Sequence, residues 1–333
     1  MRYYFIYFLL LPAQMTLGQH GKTVNFHPTV FFRTFSSANA AVLKISPGDT
    51  IYTESVDAVG FDKNGMKVTE RGNPLTGPFY VEGASEGDVI AVTFIKVALN
   101  RNYATTLEGF VPRALPKELG KEISLRDAKL VKWTLNLQTG FASPDIVHEH
   151  LEEFKVALKP FLGCIGVAPK GKAIPSYDSG PFGGNLDFSA ITQSATIYLP
   201  VFHDGALLYL GDGHAVQGDG ELTGDALETS MDIGFVVRLL KNSELELDFP
   251  KVEDSTHIMS IGLDESLDVA LKIATAGLVK WLQKDYQLSL KEATQVIGTS
   301  IEYKIAEIAD PKVEVVAMIK KSTLKGLKRI AVD

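Results

Sequence analysis

Short apolar runs of strand length, separated by turn residues, occupy most of this chain and constrain its fold more than any other feature. Between residues 23 and 248 they include "VIAVTFIKVAL", "ATIYLPVF" and "DIGFVVRLL", with Gly, Pro, Asn and Asp between the runs. No helical period of useful length precedes residue 260, apart from the ambiguous stretch "SPDIVHEHLEEF". Because strands and helices do not alternate, the pattern argues against a Rossmann-type parallel sheet.

The period changes to that of a helix after residue 260. Seven apolar residues of "DESLDVALKIATAGLVKWLQKDY" share one face of a 3.6-residue period: Leu267, Ala270, Leu271, Ala274, Leu278, Trp281 and Leu282. Asp264 is the expected N-cap of this helix. Ser289 and Glu292 have the spacing of a capping box, which predicts a second helix ending at Gly298. Two strand patterns, "IEYKIAEI" and "VEVVAMIKK", follow.

These patterns predict a mainly β fold, sandwich-like or barrel-like, with a smaller α+β part at the C-terminus. The predicted division is a signal peptide at residues 1–18, a β-rich domain at 19–248 and an α+β part at 249–333. A net charge of -7 and the absence of a long Lys/Arg run argue against a nucleic-acid partner.

The first residues, "MRYYFIYFLLLPAQMTLGQ", have the pattern of a secretory signal peptide. Arg2 precedes an apolar stretch at residues 3–11, and cleavage after Gly18 would place Thr16 at the -3 position. The apolar stretch is too short to span a bilayer as a helix. We therefore expect a periplasmic or secreted protein that has no membrane partner after cleavage. The alternative is an N-terminal segment that packs on the core.

The segment "LGDGHAVQGDGE", residues 210–221, concentrates metal-ligating side chains in an expected glycine-rich loop. Asp212 and His214 are separated by one glycine, and Asp219 and Glu221 repeat that spacing. One imidazole with several carboxylates can hold zinc or another divalent cation. The alternative is a surface loop with solvated acids. Phosphate-binding loops, a GxSxG nucleophile elbow and an HExxH helix are absent from the sequence.

Two further polar clusters interrupt the strand patterns. In "GPFGGNLDF", Gly184 permits close approach of the backbone, and Asn185 and Asp187 follow. In "YTESVDAVGFD", Glu54 and Asp57 break an apolar run. The alternatives are an Asx-capped turn for the first cluster and a solvated strand face for the second.

The single cysteine, Cys164, lies in the apolar stretch "FLGCIGVAP" and cannot form an intramolecular disulfide. Its flanks predict a small buried hydrophobic residue. A catalytic thiol is the alternative, although no His or acid adjoins it in sequence.

In order, the segments "VDAVGFD", "GPFYVEGASEGDVIAV", "GCIGVAP", "GGNLD", "GALLYLGDGHAVQGDGE" and "EDSTHIMSIG" resemble the acetamidase/formamidase family. The capping-box segment "LSLKEA" and the final "DPKVEVVAMIKK" extend this resemblance, which covers about residues 46–321. The resemblance implies hydrolysis of short linear amides to a carboxylate and ammonia, a mainly β fold, a divalent metal and a homodimer or larger homo-oligomer. Zinc is the metal usually suggested for such proteins, with calcium, magnesium and manganese as alternatives. The chain departs from the family pattern at residues 101–150, and members of the family are typically cytoplasmic.

The chemistry of amide hydrolysis assigns expected roles to the polar clusters. Asp57, Asp212 and His214 are the expected metal ligands, and Glu221, with Asp219 beside it, is the expected proton shuttle. The expected substrate contacts are Gly184, Asn185 and Asp187. The alternative from another class is a periplasmic binding protein on a β scaffold, with a metal that serves structure or ligand capture.

The signal-peptide pattern predicts that the exported protein begins near Gln19, because cleavage follows the small residue Gly18. Cell fractionation combined with mass spectrometry of the N-terminal peptide checks this expectation. Full-length protein that retains Met1 in the cytosol would contradict it.

Overall fold

The computed structural model describes residues 21–121, 123, 125, 128–145, 150–241 and 247–328. The predicted signal peptide lies outside the described residues, as does His148 of the ambiguous stretch "SPDIVHEHLEEF". Within the described part of the chain, no helix has both the length and the apolar character needed to cross a membrane.

In chain order, the strands are β1 (Thr23–Asn25), β2 (Thr34–Phe35), β3 (Leu43–Ile45), β4 (Thr50–Glu54), β5 (Leu75–Val81), β6 (Val89–Leu99), β7 (Tyr103–Leu107), β8 (Leu130–Asn136), β9 (Phe141–Pro144), β10 (Val156–Ala157), β11 (Phe161–Gly166), β12 (Ile174–Pro175), β13 (Ser179–Gly180), β14 (Gly183–Asn185), β15 (Thr196–Pro200), β16 (Leu208–His214), β17 (Glu228–Thr229), β18 (Met231–Leu240), β19 (Lys251–Glu253), β20 (His257–Asp264), β21 (Glu302–Glu307) and β22 (Val313–Lys320). The helices are α1 (Lys117–Gly120), α2 (Leu267–Tyr286) and α3 (Leu290–Ser300), and a 3₁₀-helix spans Thr323–Gly326.

Two large sheets form the body of the molecule. The first has nine strands in the order β1-β4-β18-β6-β15-β19-β20-β22-β21. The second has eleven strands, with β10-β9-β8-β7-β17-β16-β11-β14-β13 as its main path, β5 paired with β16 and β3 paired with β5. The predicted mainly β fold with helices near the C-terminus is confirmed.

The main hydrophobic core draws on both sheets. Phe94 of β6 and Phe235 of β18 come from the first sheet, and Leu162 of β11 and Leu210 of β16 come from the second. All four side chains are buried, so the apolar faces of the two sheets are removed from water together. This shared core sets the position of β11 and β16, the strands that carry most of the site described below.

The residues on either side of position 248 share the first sheet. β15 pairs with β19, and β20 then continues the sheet to β22 and β21. The predicted boundary between the β-rich domain and the α+β part therefore falls within a continuous sheet.

The helical predictions are confirmed in their main features and corrected in two details. Ser289 and Glu292 form the predicted capping box of α3. Ser266, not Asp264, is the N-cap of α2, because Asp264 still belongs to β20 and its side chain accepts a hydrogen bond from Ser266 N at 3.0 Å. Five residues of the predicted face are buried, whereas Leu267 and Leu271 are 42% and 40% exposed. The sheet covers the row of α2 that runs through Ala270, Ala274, Leu278 and Leu282, together with Trp281.

Glu314 of β22 is an unusual member of the interior. Its side chain is fully buried, and neither carboxylate oxygen has a hydrogen-bond partner among the described residues. Burial, followed by the charge of Glu307, raises the pKa of Glu314 well above its ordinary value of 4.5.

This shift predicts a pH-dependent cost to stability. As pH rises above about 4.5, the unfolded chain releases the Glu314 proton before the folded protein does, so the stability contributed by Glu314 falls. Glu314→Gln removes this loss of stability. The free energy of unfolding of the variant, minus that of the wild type, should therefore be about 1–3 kcal/mol larger at pH 8 than at pH 5. Urea unfolding at the two pH values measures this change. Glu265→Gln, at an exposed position, is the matched control, and an equal pH response in all three proteins would contradict the prediction.

Candidate active site

The first half of the segment at residues 210–221 is a buried strand and not the expected loop. β16 extends to His214 and is buried along its length, with β11 on one side and β5 and β17 on the other. Gly213 permits this close packing, because a Cβ there would lie 2.7 Å from Thr229 O. Since side chains alternate along a strand, Asp212 and His214 project from the same face.

His214 is held in a defined orientation by Gln217. The Gln217 amide nitrogen donates hydrogen bonds to Asp187 O at 2.9 Å and Ala306 O at 3.2 Å. Its Oε1 is therefore an acceptor, and His214 Nδ1 lies 2.9 Å from it. This pairing places a proton on Nδ1 and directs Nε2 toward the neighbouring acids.

Four buried carboxylates surround His214. Its Nε2 atom lies 3.1 Å from Glu228 Oε1 and 3.5 Å from Asp212 Oδ2. Asp187 Oδ1 is 3.8 Å from Nδ1. The possible ligand atoms form two groups, Asp187, Asp212 and His214 in one and His214, Glu221 and Glu228 in the other, and within each group they lie within 4.8 Å of one another.

The arrangement of these side chains fits a bound cation. Asp187 Oδ1, Asp212 Oδ1 and Glu228 Oε2 are buried without a hydrogen-bond partner among the described residues. Gly163 keeps space open beside them, because a Cβ there would lie 2.5 Å from Asp187 Oδ1 and 2.6 Å from Asp212 Oδ2. A divalent cation would provide the partner that these oxygens lack.

Backbone conformation provides a further sign of function. Asp187, Asp212 and Glu221 have backbone φ angles of 45°, 56° and 48°. Residues other than glycine rarely adopt this left-handed region. Such conformations persist where the surrounding structure imposes them, and they are concentrated at functional sites.

The electrostatics show an excess of negative charge. Burial raises the pKa of Asp187 and of Glu221 well above the ordinary values of these groups, and it raises the pKa of Glu228 to about 8. Burial opposes a charge on His214, but Glu228 and Asp212 outweigh it and raise the pKa of His214 well above 6.5. Burial also opposes ionisation of Asp212, yet His214 and nearby hydrogen bonds lower its pKa overall. At this depth the four carboxyl groups need protons or a cation in addition to one imidazolium, and the oxygens that lack hydrogen-bond partners favour a cation.

Side-chain amides hold the carboxylates in place. Asn185 Nδ2 donates to Asp187 Oδ2 at 2.5 Å and to Asp310 Oδ2 at 2.8 Å. Asn73 Nδ2 donates to Asp212 Oδ2 at 3.2 Å. Hydrogen bonds of this kind orient ligands and adjust their basicity. The hydrogen bond from Asn185 to Asp310 extends the group of acids toward the C-terminal strands. Burial raises the pKa of Asp310 to about 7.

The other predicted site residues lie in different surroundings. Gly184 is buried in β14 opposite Ile165. The side chain of Asp219 is 61% exposed and pairs with Lys304 at 2.9 Å. Asp57 lies outside both groups of possible ligands, in a turn that follows β4.

The carboxylate of Asp57 is already engaged by the protein. Its Oδ1 accepts hydrogen bonds from Val59 N and Phe61 N, and its Oδ2 accepts one from Arg101 Nη2 at 2.6 Å. Arg101 also donates to Glu228 O and to Thr229 Oγ1, so the buried pair supports the strand that carries Glu228.

Cys164 has the environment of a structural thiol. Its Sγ donates to Asn185 Oδ1 at 2.6 Å and is fully buried. Burial, followed by the charges of Asp212 and Asp187, raises the pKa of Cys164 well above 9.0. A nucleophilic cysteine needs the opposite shift, so the position disfavours thiol catalysis.

Four residues of the site are not among those predicted from the sequence: Glu228, Asp310, Gln217 and Gly163. Gln217 lies inside the selected segment, but neither its residue type nor its spacing marks it as a partner of His214. Glu228 and Asp310 lie in "DALETS" and "IADPKV", where no histidine or repeated acid spacing distinguishes them. Glu228 reaches His214 through the pairing of β17 with β16, which local sequence does not reveal.

The chain is similar to known amidases in sequence and in structure. A model of the acetamidase/formamidase family matches residues 171–313. A formamidase of Methylophilus methylotrophus is 28% identical over 163 residues, covering 43% of this chain and 39% of that protein. An acetamidase of Mycolicibacterium smegmatis is 26% identical over 199 residues, covering 44% of this chain and 48% of that protein. The matches thus span less than half the length of these two curated relatives.

A solved structure extends the similarity to nearly the whole fold. A predicted acetamidase/formamidase from Thermoanaerobacter tengcongensis superposes with a TM-score of 0.79 and 29% identity, covering 92% of this chain and 98% of that chain. The β architecture and the buried group around His214 therefore occur in a chain that is similar to the acetamidase/formamidase family in sequence and in fold. The resemblance predicted from the sequence is confirmed.

The space beside Gly163 generates a test of cation binding. Gly163→Ala should place a methyl group against Asp187 and Asp212 and reduce zinc affinity by about 10–100-fold, the range seen when the support of metal ligands is disturbed. Zinc titration of chelator-treated protein measures the affinity, and circular dichroism checks the fold. Gly298→Ala is the control, because a Cβ there meets nothing within 4 Å. Unchanged zinc affinity in a folded Gly163→Ala protein would contradict the assignment.

Proposed function

We propose that this protein hydrolyses a linear carboxamide to a carboxylate and ammonia in a metal-dependent reaction. The observation that carries the proposal is the buried group around His214, in which three carboxylate oxygens lack a partner. The match of residues 171–313 to the acetamidase/formamidase family model supports the reaction class, as do relatives named formamidase and acetamidase.

We infer that Asp187, Asp212 and His214 hold the cation, with Glu228 at the side of His214 Nε2. A mixed imidazole and carboxylate donor set suits zinc, and it also accepts manganese. When bound, a divalent cation supplies Lewis acidity toward an amide carbonyl and toward water. His214 Nδ1 keeps its proton in the hydrogen bond to Gln217 Oε1, so Nε2 is the ring nitrogen that would bind the cation.

Glu221 is the proton carrier in this proposal. Its carboxyl group belongs to the group with His214 and Glu228, and the residue also lines a cavity. Burial, with a further contribution from Glu228, raises the pKa of Glu221 well above 4.5, which favours the protonated form of this group. Hydrolysis needs a proton on the departing nitrogen, and Glu221 is placed to deliver it.

The sequence left open a periplasmic binding protein with a structural metal. A structural cation is normally enclosed by a complete ligand set. Here the acids around His214 adjoin a cavity through Glu221, and this favours a site where a substrate enters. A cysteine-based hydrolase is disfavoured by the raised pKa of Cys164.

Export and self-association complete the proposal. The signal-peptide pattern at residues 1–18 supports a periplasmic or secreted location. The family resemblance supports a homodimer or larger homo-oligomer.

Ammonia release from formamide and acetamide by zinc-loaded protein tests the reaction. In the same assay, Glu221→Gln should lower kcat by about 10²–10⁴-fold, because it removes the titratable group while keeping its size. Its zinc content should stay near that of the wild type. Glu265→Gln is the matched control, since Glu265 is exposed and lies outside the lining of the cavity beside Glu221. No ammonia from any amide with metal bound would refute the proposed function, and a fully active Glu221→Gln protein would refute the role of Glu221.

A further inference from the structure

A largely apolar cavity of about 310 Å³ lies beside Glu221. The segment after β16 forms one wall, and strands of the second sheet form the other. The lining that matters here comprises Val216, Glu221, Leu222 and Leu227 from the segment after β16, and Trp133 and Val156 from β8 and β10. Glu221 connects the cavity to the acids around His214, because its carboxyl group lies within 4.8 Å of ligand atoms on His214 and Glu228.

The apolar wall is backed by packed side chains. Leu227 belongs to a small hydrophobic cluster with Ala104, Leu135 and Ala142, against which Trp133 and Val156 also pack. The Trp133 ring meets Phe154 edge-on, with 6.1 Å between ring centroids. A wall supported in this way can keep its shape when a ligand leaves.

The volume is large for the smallest amides. A cavity of 310 Å³ has room for about ten waters at ~30 Å³ each. Acetamide has four non-hydrogen atoms and formamide has three, so either would leave most of the apolar wall in contact with water. An apolar acyl group would displace that water, and its transfer from solvent is favourable.

We infer that this cavity binds the acyl group of the substrate, and that the substrate is a carboxamide with an apolar acyl chain of about four to six carbons or an aromatic ring. This inference rests on the proposed amide hydrolysis at the adjoining acids. Trp133 lies outside residues 171–313, the part of the chain that matches the family model, and this supports a specificity particular to this chain.

A substrate series tests the inference. Zinc-loaded protein is assayed for ammonia release from formamide, acetamide, butyramide, hexanamide and benzamide. From acetamide to hexanamide, kcat/KM should rise about fourfold for each added methylene, the gain expected when one CH₂ leaves water for an apolar wall. A preference for formamide or acetamide over every longer amide would overturn the inference.

Variants of the wall sharpen this test. Leu222→Trp, at a half-exposed position, should fill part of the cavity and lower the ratio of kcat/KM for hexanamide to that for acetamide at least tenfold. Trp133→Ala should lower the same ratio by removing the aromatic wall. Leu290→Trp, on exposed α3 and outside the cavity lining, is the matched control and should leave the ratio unchanged. An unchanged ratio in both wall variants would overturn the inference.

A binding measurement separates this inference from the proposed function. Trp133 and Trp281 are the two tryptophans of the chain, so Trp281→Phe leaves Trp133 as the fluorescent reporter. Hexanamide should shift its emission, and acetamide at the same concentration should not. A shift without ammonia release would refute amide hydrolysis while supporting the cavity as a binding site. Release from short amides without a shift would support hydrolysis and overturn the cavity assignment.

Discussion

The burial of four carboxylates around one imidazole is the constraint on which the rest of this site depends. Asp187, Asp212, Glu221 and Glu228 are almost completely shielded from water, and His214 is the positive partner that they share. Removing several like charges from water together is costly unless a counter-charge or protons compensate for them. The oxygens that lack hydrogen bonds and the space beside Gly163 favour a cation as that compensation.

The fold brings these acids together through pairings between distant segments of the chain. β16 carries Asp212 and His214 in the middle of the second sheet, where β11 contributes Gly163 and β17 contributes Glu228. The buried pair of Asp57 and Arg101 supports β17, because Arg101 also donates a hydrogen bond to the backbone oxygen of Glu228. A rigid strand on each side limits how far the ligand atoms can move, which is the support that a precise site requires.

The C-terminal strands complete the site even though they continue the first sheet. Gln217 reaches Ala306 O, and Asn185 reaches Asp310, so residues on both sides of position 248 position the same group of acids. Glu307 lies at this junction as well, and burial raises its pKa to about 8. The acids are therefore enclosed by the contact between segments that are far apart in sequence. The cavity beside Glu221 is built in a similar way, from the segment after β16 and the strands β8 and β10.

Local sequence determined the features that depend on neighbouring residues. Strand length, turn residues and the capping box at Ser289 set the mainly β fold and the start of α3, because periodicity and capping act within a few positions. The spacing of Asp212 and His214 was visible for the same reason, as was the order of segments that resembles the acetamidase/formamidase family. Only the tertiary structure decided that Glu228 meets His214, that Asp57 is engaged by Arg101 and that Asp219 faces solvent. Those outcomes depend on strand pairing and burial between residues far apart in sequence, which no local pattern encodes.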